Sequence, residues 1–225
     1  MADPLMELSG VHFAYDGASP VLAGADFRLD AGQRVAVVGP TGSGKTTLLH
    51  LMVGLLRPTA GTIRLFGRAR HEESEFAEVR GRVGLLFQDA EDQLFCPTVA
   101  EDVAFGPLNQ GKKRDEAVEI VRRTLASLGL SGYEDRVTYH LSGGEKRLVS
   151  LATVLAMEPE ILLLDEPTNG VDERTVGRIV DILSHLPQAM VVISHQKDFL
   201  RQVTQTTVHL RDRRLTPGET GPAAP

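Results

Sequence analysis

Four short apolar runs, Val35 to Val38, Val83 to Phe87, Ile161 to Leu164 and Met190 to Ile193, constrain this chain more than any other feature. Each is nearly continuous, and none alternates with polar residues. A strand with one wet face alternates; a strand covered on both faces does not. The runs therefore predict strands of a parallel sheet with helices on both sides. Helical patterns between them agree: Val118, Val121, Leu125 and Leu128 share one face, as do Leu148, Leu151, Ala152 and Leu155. The expected fold class is α/β. Leu8 to Tyr15, Ala25 to Leu29 and Gly61 to Phe66 read as an antiparallel flap, its first two strands parted by a turn at Asp16-Gly17. From about Asp89 to Ala156 the signals are mostly helical, which suggests an inserted lobe. The ending TPGETGPAAP, rich in Pro and Gly, reads as a frayed tail over 215–225.

Composition narrows the setting. The 225 residues fit one large domain or two small ones, and 42% hydrophobic with 24% charged residues is ordinary for a globular protein. No apolar run reaches the roughly 18 residues a membrane span needs, and no leader pattern opens the chain. Cys96 is the single cysteine, which excludes an internal disulfide and a cysteine-cluster zinc site and suits a reducing cytosol. A net charge of -6 speaks against a surface built to hold nucleic acid.

The first chemical motif follows the first buried run. Gly39-Pro40-Thr41-Gly42-Ser43-Gly44-Lys45-Thr46 fits G-x-x-x-x-G-K-[ST], between a strand and a helix opened by Thr47, Leu48 and Leu49. Glycines let backbone N–H groups turn inward to cradle phosphate, and the helix start adds its positive end. Lys45 would reach the terminal phosphates of ATP, and the Thr46 hydroxyl would ligate Mg²⁺. The run Ile161 to Leu164 ends in Asp165 and Glu166, at the edge where such sheets bind ligands. Asp165 is expected to hold Mg²⁺, and Glu166 to take a proton from the attacking water. His195 and Gln88 stand just past two other strand ends; His195 is expected at the γ-phosphate, and Gln88 at Mg²⁺ or the water.

Leu141-Ser142-Gly143-Gly144-Glu145 has two readings. Ser142 and Glu145 form S-x-x-E, a capping box that starts a helix. The glycine pair at the first helical positions costs helix stability yet opens N–H groups to an anion. Because the phosphate loop already holds one triphosphate, a second cradle suits a nucleotide bound by another copy, hence a dimer.

Together these segments resemble the ATP-binding cassette (ABC) family from about Leu5 to Arg214. Gly39 to Thr46 is similar to its Walker A, with Thr47 beside it in the nucleotide site; Ile161 to Glu166 is similar to Walker B, and Leu141 to Glu145 to the signature motif. The resemblance makes Gln88 the Q-loop glutamine, Asp172 in Asn169-Gly170-Val171-Asp172 the D-loop residue, His195 the switch histidine and Tyr15 the aromatic that stacks on adenine. It implies a P-loop NTPase core with an N-terminal antiparallel subdomain and a helical subdomain over about 89–156. It further implies head-to-tail dimers in which Ser142 and Gly144 of one subunit meet the γ-phosphate held by the other. Glu145 departs from the family's usual glutamine but still closes the capping box. The segment FQDAEDQLFCPTVAEDVAFGPLN resembles energy-coupling-factor importer ATPases, especially the cobalt/nickel branch. That implies an ATPase at the cytoplasmic face of the membrane, partnered by a second, identical cassette, a transmembrane coupling subunit and a substrate-binding membrane subunit. No nucleic acid is expected; vitamin uptake and DNA maintenance are the alternatives.

Overall fold

The computed structural model describes residues 3–218. Ten strands and seven helices follow one another in two sheets and a helical lobe. β1 (Met6–Phe13), β2 (Leu22–Leu29), β4 (Ala60–Leu65) and β5 (Arg68–Arg70) form an antiparallel sheet in the order β2-β1-β4-β5. β3 (Arg34–Val38), β6 (Val83–Leu86), β7 (Ile161–Asp165), β8 (Ala189–Ile193), β9 (Thr206–Arg211) and β10 (Arg214–Pro217) form the second sheet, in the order β10-β9-β3-β8-β7-β6. Pairing in it is parallel throughout, except for the β9–β10 hairpin.

The unbroken apolar runs have a direct physical cause. Along β7, Ile161 and Leu163 join one core with the antiparallel sheet and α1 (Lys45–Met52). Leu162 and Leu164 point the other way, into a second core with the helical lobe. All four side chains are fully buried. β3 and β8 divide in the same manner, with Val35 and Val37 on one side and Ala36 on the other.

After the short α2 (Glu73–Ala77), the lobe comprises α3 (Val99–Asn109), α4 (Arg114–Ser127) and α5 (Gly143–Leu155). Capping boxes at Thr98/Glu101 and Ser142/Glu145 start α3 and α5, satisfying donors that each helix start leaves free. On α4 the buried stripe is Ala117, Ile120, Val121, Thr124 and Leu125; Val118 sits at its edge and is exposed, contrary to the face read from periodicity. α6 (Glu173–His185) and α7 (Lys197–Val203) complete the packing around β8.

Residues 215–217, expected to begin a frayed tail, belong instead to β10. Asp212 and Arg213 both take positive φ, 48° and 66°. That conformation makes the tight turn of a twisted hairpin, and it carries Arg214–Pro217 back along β9. The rest of the expected tail, 219–225, lies outside the described residues.

Candidate functional site

Parallel pairing brings the C-terminal ends of β3, β8, β7 and β6 to one edge of the sheet. The residues just beyond those ends are Gly39 to Thr46, His195, Asp165-Glu166 and Gln88. The crossover strands alone place the predicted chemistry there. A hollow of about 420 Å³ at this edge is lined by Tyr15, Thr41, Gly42, Gly44, Lys45, Thr46, Thr47, Gln88, Asp165, Glu166 and His195, joined by Asn169 and Gln196.

The loop before α1 is shaped for an anion. Gly42 and Gly44 have φ of 76° and 99°, open to glycine at little cost. Gly44 is the N-cap of α1 and has no capping side chain, so its first N–H groups face outward. The Lys45 ammonium, 8% exposed as a residue, donates to the carbonyls of Gly39 (2.9 Å) and Pro40 (3.0 Å). The Ser43 hydroxyl is buried without a partner. Tyr15 stands half exposed beside the loop, its hydroxyl 3.1 Å from Thr47 Oγ1 and its ring edge-on to Phe13.

Across the hollow, the Thr46 hydroxyl donates to Asp165 Oδ2 at 2.6 Å. Burial pushes the Asp165 carboxyl up, and the Thr46 hydrogen bond, then His50, Lys45 and Arg147, pull it back. Glu166 has φ of 45°, a strained value for a residue with a side chain. Its N–H donates to Ile193 O (2.9 Å), and its carbonyl accepts from Asn169 N (3.0 Å) and Arg147 Nη2 (3.0 Å). The side chain accepts from His195 N at 3.2 Å. Its other oxygen, Oε1, lies 3.3 Å from His195 Nε2 without hydrogen-bond geometry and is buried with no partner. A carboxylate so placed can accept a proton from a small molecule in the hollow.

The loop that carries Gln88 is pinned from α5. Gln93 accepts from Phe87 N (3.2 Å) and donates to Ser150 O and Thr153 Oγ1. Arg147, 3% exposed, donates to the carbonyls of Phe87 (2.7 Å) and Gln88 (2.5 Å). Gln88 itself is exposed.

Apart from Gly143, the segment 142–145 lines neither hollow at this edge. Ser142, Gly144 and Asp172 line neither the 420 Å³ hollow nor the adjoining one of about 780 Å³, in which Gly143 faces Thr46, Gln88 and Asp165. Ser142 Oγ donates to Glu145 Oε2 (2.8 Å) and accepts from Glu145 N (3.3 Å). Glu145 Oε1 takes the Tyr133 hydroxyl (2.7 Å) and Arg136 (3.1 Å), so both carboxylate oxygens are engaged within the chain. Tyr133 and Ser142 hold the Glu145 carboxyl down at about 2. Gly144 has a local reason as well: a Cβ there would come within 2.8 Å of Thr175 Oγ1 on α6. The pair is thus not wholly unexplained by packing. Asp172 is the N-cap of α6 and accepts from Thr175 N at 2.8 Å.

Arg147, Gln93 and Asn169 escaped sequence reasoning. The signal for Arg147 was a cation within the apolar stripe of α5, between Glu145 and Leu148.

The comparisons fit this geometry. A family model described as ABC transporter matches residues 22–169. A provisionally named ABC transporter ATP-binding protein of Nitratidesulfovibrio vulgaris is 49% identical over 211 residues, covering 93% of this chain and 77% of that protein. The energy-coupling factor transporter ATP-binding protein EcfA of Methanothermobacter thermautotrophicus is 42% identical, covering 94% and 69%. Among solved structures, cbiO1 of Clostridium perfringens, described as part of the ABC transporter complex cbiONQ, superposes with a TM-score of 0.84 at 29% identity, over 95% of this chain and 87% of that one.

Proposed function

The chain belongs to the ABC transporter family, whose cassettes bind and hydrolyse ATP, and from that premise we propose that it powers an energy-coupling-factor importer, with a transition-metal ion, cobalt or nickel, as cargo. The observation that supports the ATPase site most is the convergence of Lys45, Thr46, Asp165, Glu166 and His195 on one hollow at the sheet edge. On this reading Tyr15 stacks on the base. The N–H groups from Gly39 to Thr47 cradle the phosphates, and Lys45 leaves its two loop carbonyls for the β- and γ-phosphates. The water oxygen attacks the γ-phosphorus in line, and the bond to the β,γ-bridging oxygen breaks to give ADP and phosphate. Glu166, with an oxygen buried and unpartnered, takes the water's proton, while His195 and Gln88 orient phosphate and water.

The residues suit Mg²⁺. Thr46 Oγ1 and Asp165 Oδ2 are hard oxygens 2.6 Å apart, with Gln88 near. No group of three acidic, His or Cys side chains forms a self-sufficient cage among the described residues. Few protein ligands plus phosphate oxygens is the pattern Mg²⁺ accepts. Bound there, it would neutralise charge on the β- and γ-phosphate oxygens.

Ser142, Gly144 and Asp172 line neither hollow, which supports their use, with the neighbouring Gly143, on a nucleotide held by a second, identical copy. A separate groove supports the transport reading. Phe95 and Phe105, exposed at 64% and 48%, meet edge-on at 4.9 Å beside Leu55 in a hollow of about 870 Å³. A solvent-facing aromatic pair in a concave wall suits an apolar helix of a membrane subunit. No helix among the described residues is long and apolar enough to cross a membrane; docked through this groove, the chain would sit peripherally on the cytoplasmic face. The metal cargo rests on the resemblance of the segment after Gln88 to the cobalt/nickel branch, and a vitamin is the second reading.

The test is purification from native membranes in gentle detergent. Integral membrane subunits are expected to accompany the chain, and Phe95→Asp with Phe105→Asp is expected to release them while ATP binding persists. Retention by the double variant would overturn the groove assignment. Uptake of both cobalt and nickel that persists without the chain would overturn the metal cargo.

A further inference from the structure

Arg147 is a buried cation with no ion pair among the described residues. Its guanidinium is spent on three backbone carbonyls, those of Phe87, Gln88 and Glu166. Burying a charge is costly, and the three carbonyl acceptors, helped by the nearby charges of Asp89, Asp165 and Glu166, only partly offset that. An apolar residue would fill the same space, beside Leu86, Leu151 and Leu164, at lower cost. What an apolar residue would not do is join two strand ends. Gln88 follows β6 and Glu166 follows β7, and the fork of Arg147 is the side chain that holds both carbonyls at once.

The geometry at Glu166 makes that hold consequential. Its left-handed backbone persists only if its surroundings over-determine it. The N–H is fixed to β8 through Ile193 O, and Arg147 supplies one of two donors to the carbonyl. Loss of Arg147 leaves that peptide free to relax and swings the carboxylate with it. A planar fork can serve several carbonyls in fixed directions, whereas an ammonium on a flexible stem cannot.

Arg147 also stands a little over one turn along α5 from Ser142, at the helix start. We propose that Arg147 is a positioning residue, through which the attitude of α5 aligns Gln88 and Glu166 for hydrolysis. This rests on the reading of Glu166 as proton acceptor and of Ser142 as contact to the nucleotide of the second copy. A nucleotide seated against the start of α5 in one site then fixes the reacting groups of the other site, through a single rigid helix.

The test compares Arg147→Met, Glu166→Gln and the double variant in the full-length protein. Arg147→Met is expected to bind ATP within about twofold of the parent but to lose about tenfold or more in kcat, the scale of a small misplacement of reacting groups. Because Arg147 acts through Glu166, adding Arg147→Met to Glu166→Gln is expected to lower the residual rate by less than about twofold. A kcat near the parent's in Arg147→Met would overturn the proposal. So would a full additional loss in the double variant, which is what a merely structural strut would give. Should Arg147→Met fail to fold, Arg147→Lys is read by the same two criteria. Undiminished turnover by Glu166→Gln would instead remove the underlying assignment of Glu166, and that result does not depend on Arg147.

Discussion

At the scale of single residues, Glu145 shows how a departure from a family pattern can serve stability rather than chemistry. Its carboxyl is held at about 2 against an ordinary 4.5, first by the Tyr133 hydroxyl, then by Ser142, with Arg136 adding charge. A depressed carboxyl stabilises the fold above its unfolded value, and the contribution fades as pH falls from 4.5 toward about 2. Glu145→Gln is therefore expected to melt about 2–4 °C lower near neutral pH, for a site that remains partly open to solvent. Urea melts should show the gap closing across that acidic window; a constant gap would mean that the charge plays no part. Much of the candidate site was legible at this scale, because a lysine after glycines or two acids after a leucine run have few other reasons to occur together. Arg147 was legible only as a cation in the apolar stripe of α5, not for what it holds. Its partners are backbone carbonyls, which every residue supplies, so no sequence pattern marks the arrangement.

At the scale of elements, legibility followed burial. β3, β6, β7 and β8 are covered on both faces, and their sequences read as unbroken apolar runs. β9 is half buried and mostly polar, and β5 is only three residues long, so neither carried a pattern strong enough to read. The close approach of α5 to α6 was equally hidden, since nothing near Gly144 in sequence announces Thr175. Gly144→Ala would place a Cβ at 2.8 Å from Thr175 Oγ1. The expected cost is about 1–3 kcal/mol of strain, read as a fall of several degrees in Tm. Thr175→Ala in the same chain removes the obstructing hydroxyl and should restore most of it. If stability returns while hydrolysis does not, the missing Cβ serves anion approach; if both return, it serves packing alone.

At the scale of the whole molecule, the separation of 142–145 from the local phosphate loop makes a prediction about mixtures. Lys45→Ala and Ser142→Arg are each expected to be inactive, because every composite site in either dimer lacks one half. Mixed together, they form dimers in which one site combines an intact Lys45 with an intact Ser142, and the mixture should recover up to about a quarter of the normal rate. A mixture as dead as its components would mean that each nucleotide belongs to one chain only. One further consequence concerns the hairpin that closes the second sheet. Arg213 O at its turn receives the N–H of Ala23 in β2 (2.8 Å), so the late hairpin is a strut under the sheet that presents Tyr15. On the proposed reading of Tyr15, base and phosphates are held from two different sheets tied together at this turn, and cutting the tie would weaken the hold on the base before the hold on the triphosphate.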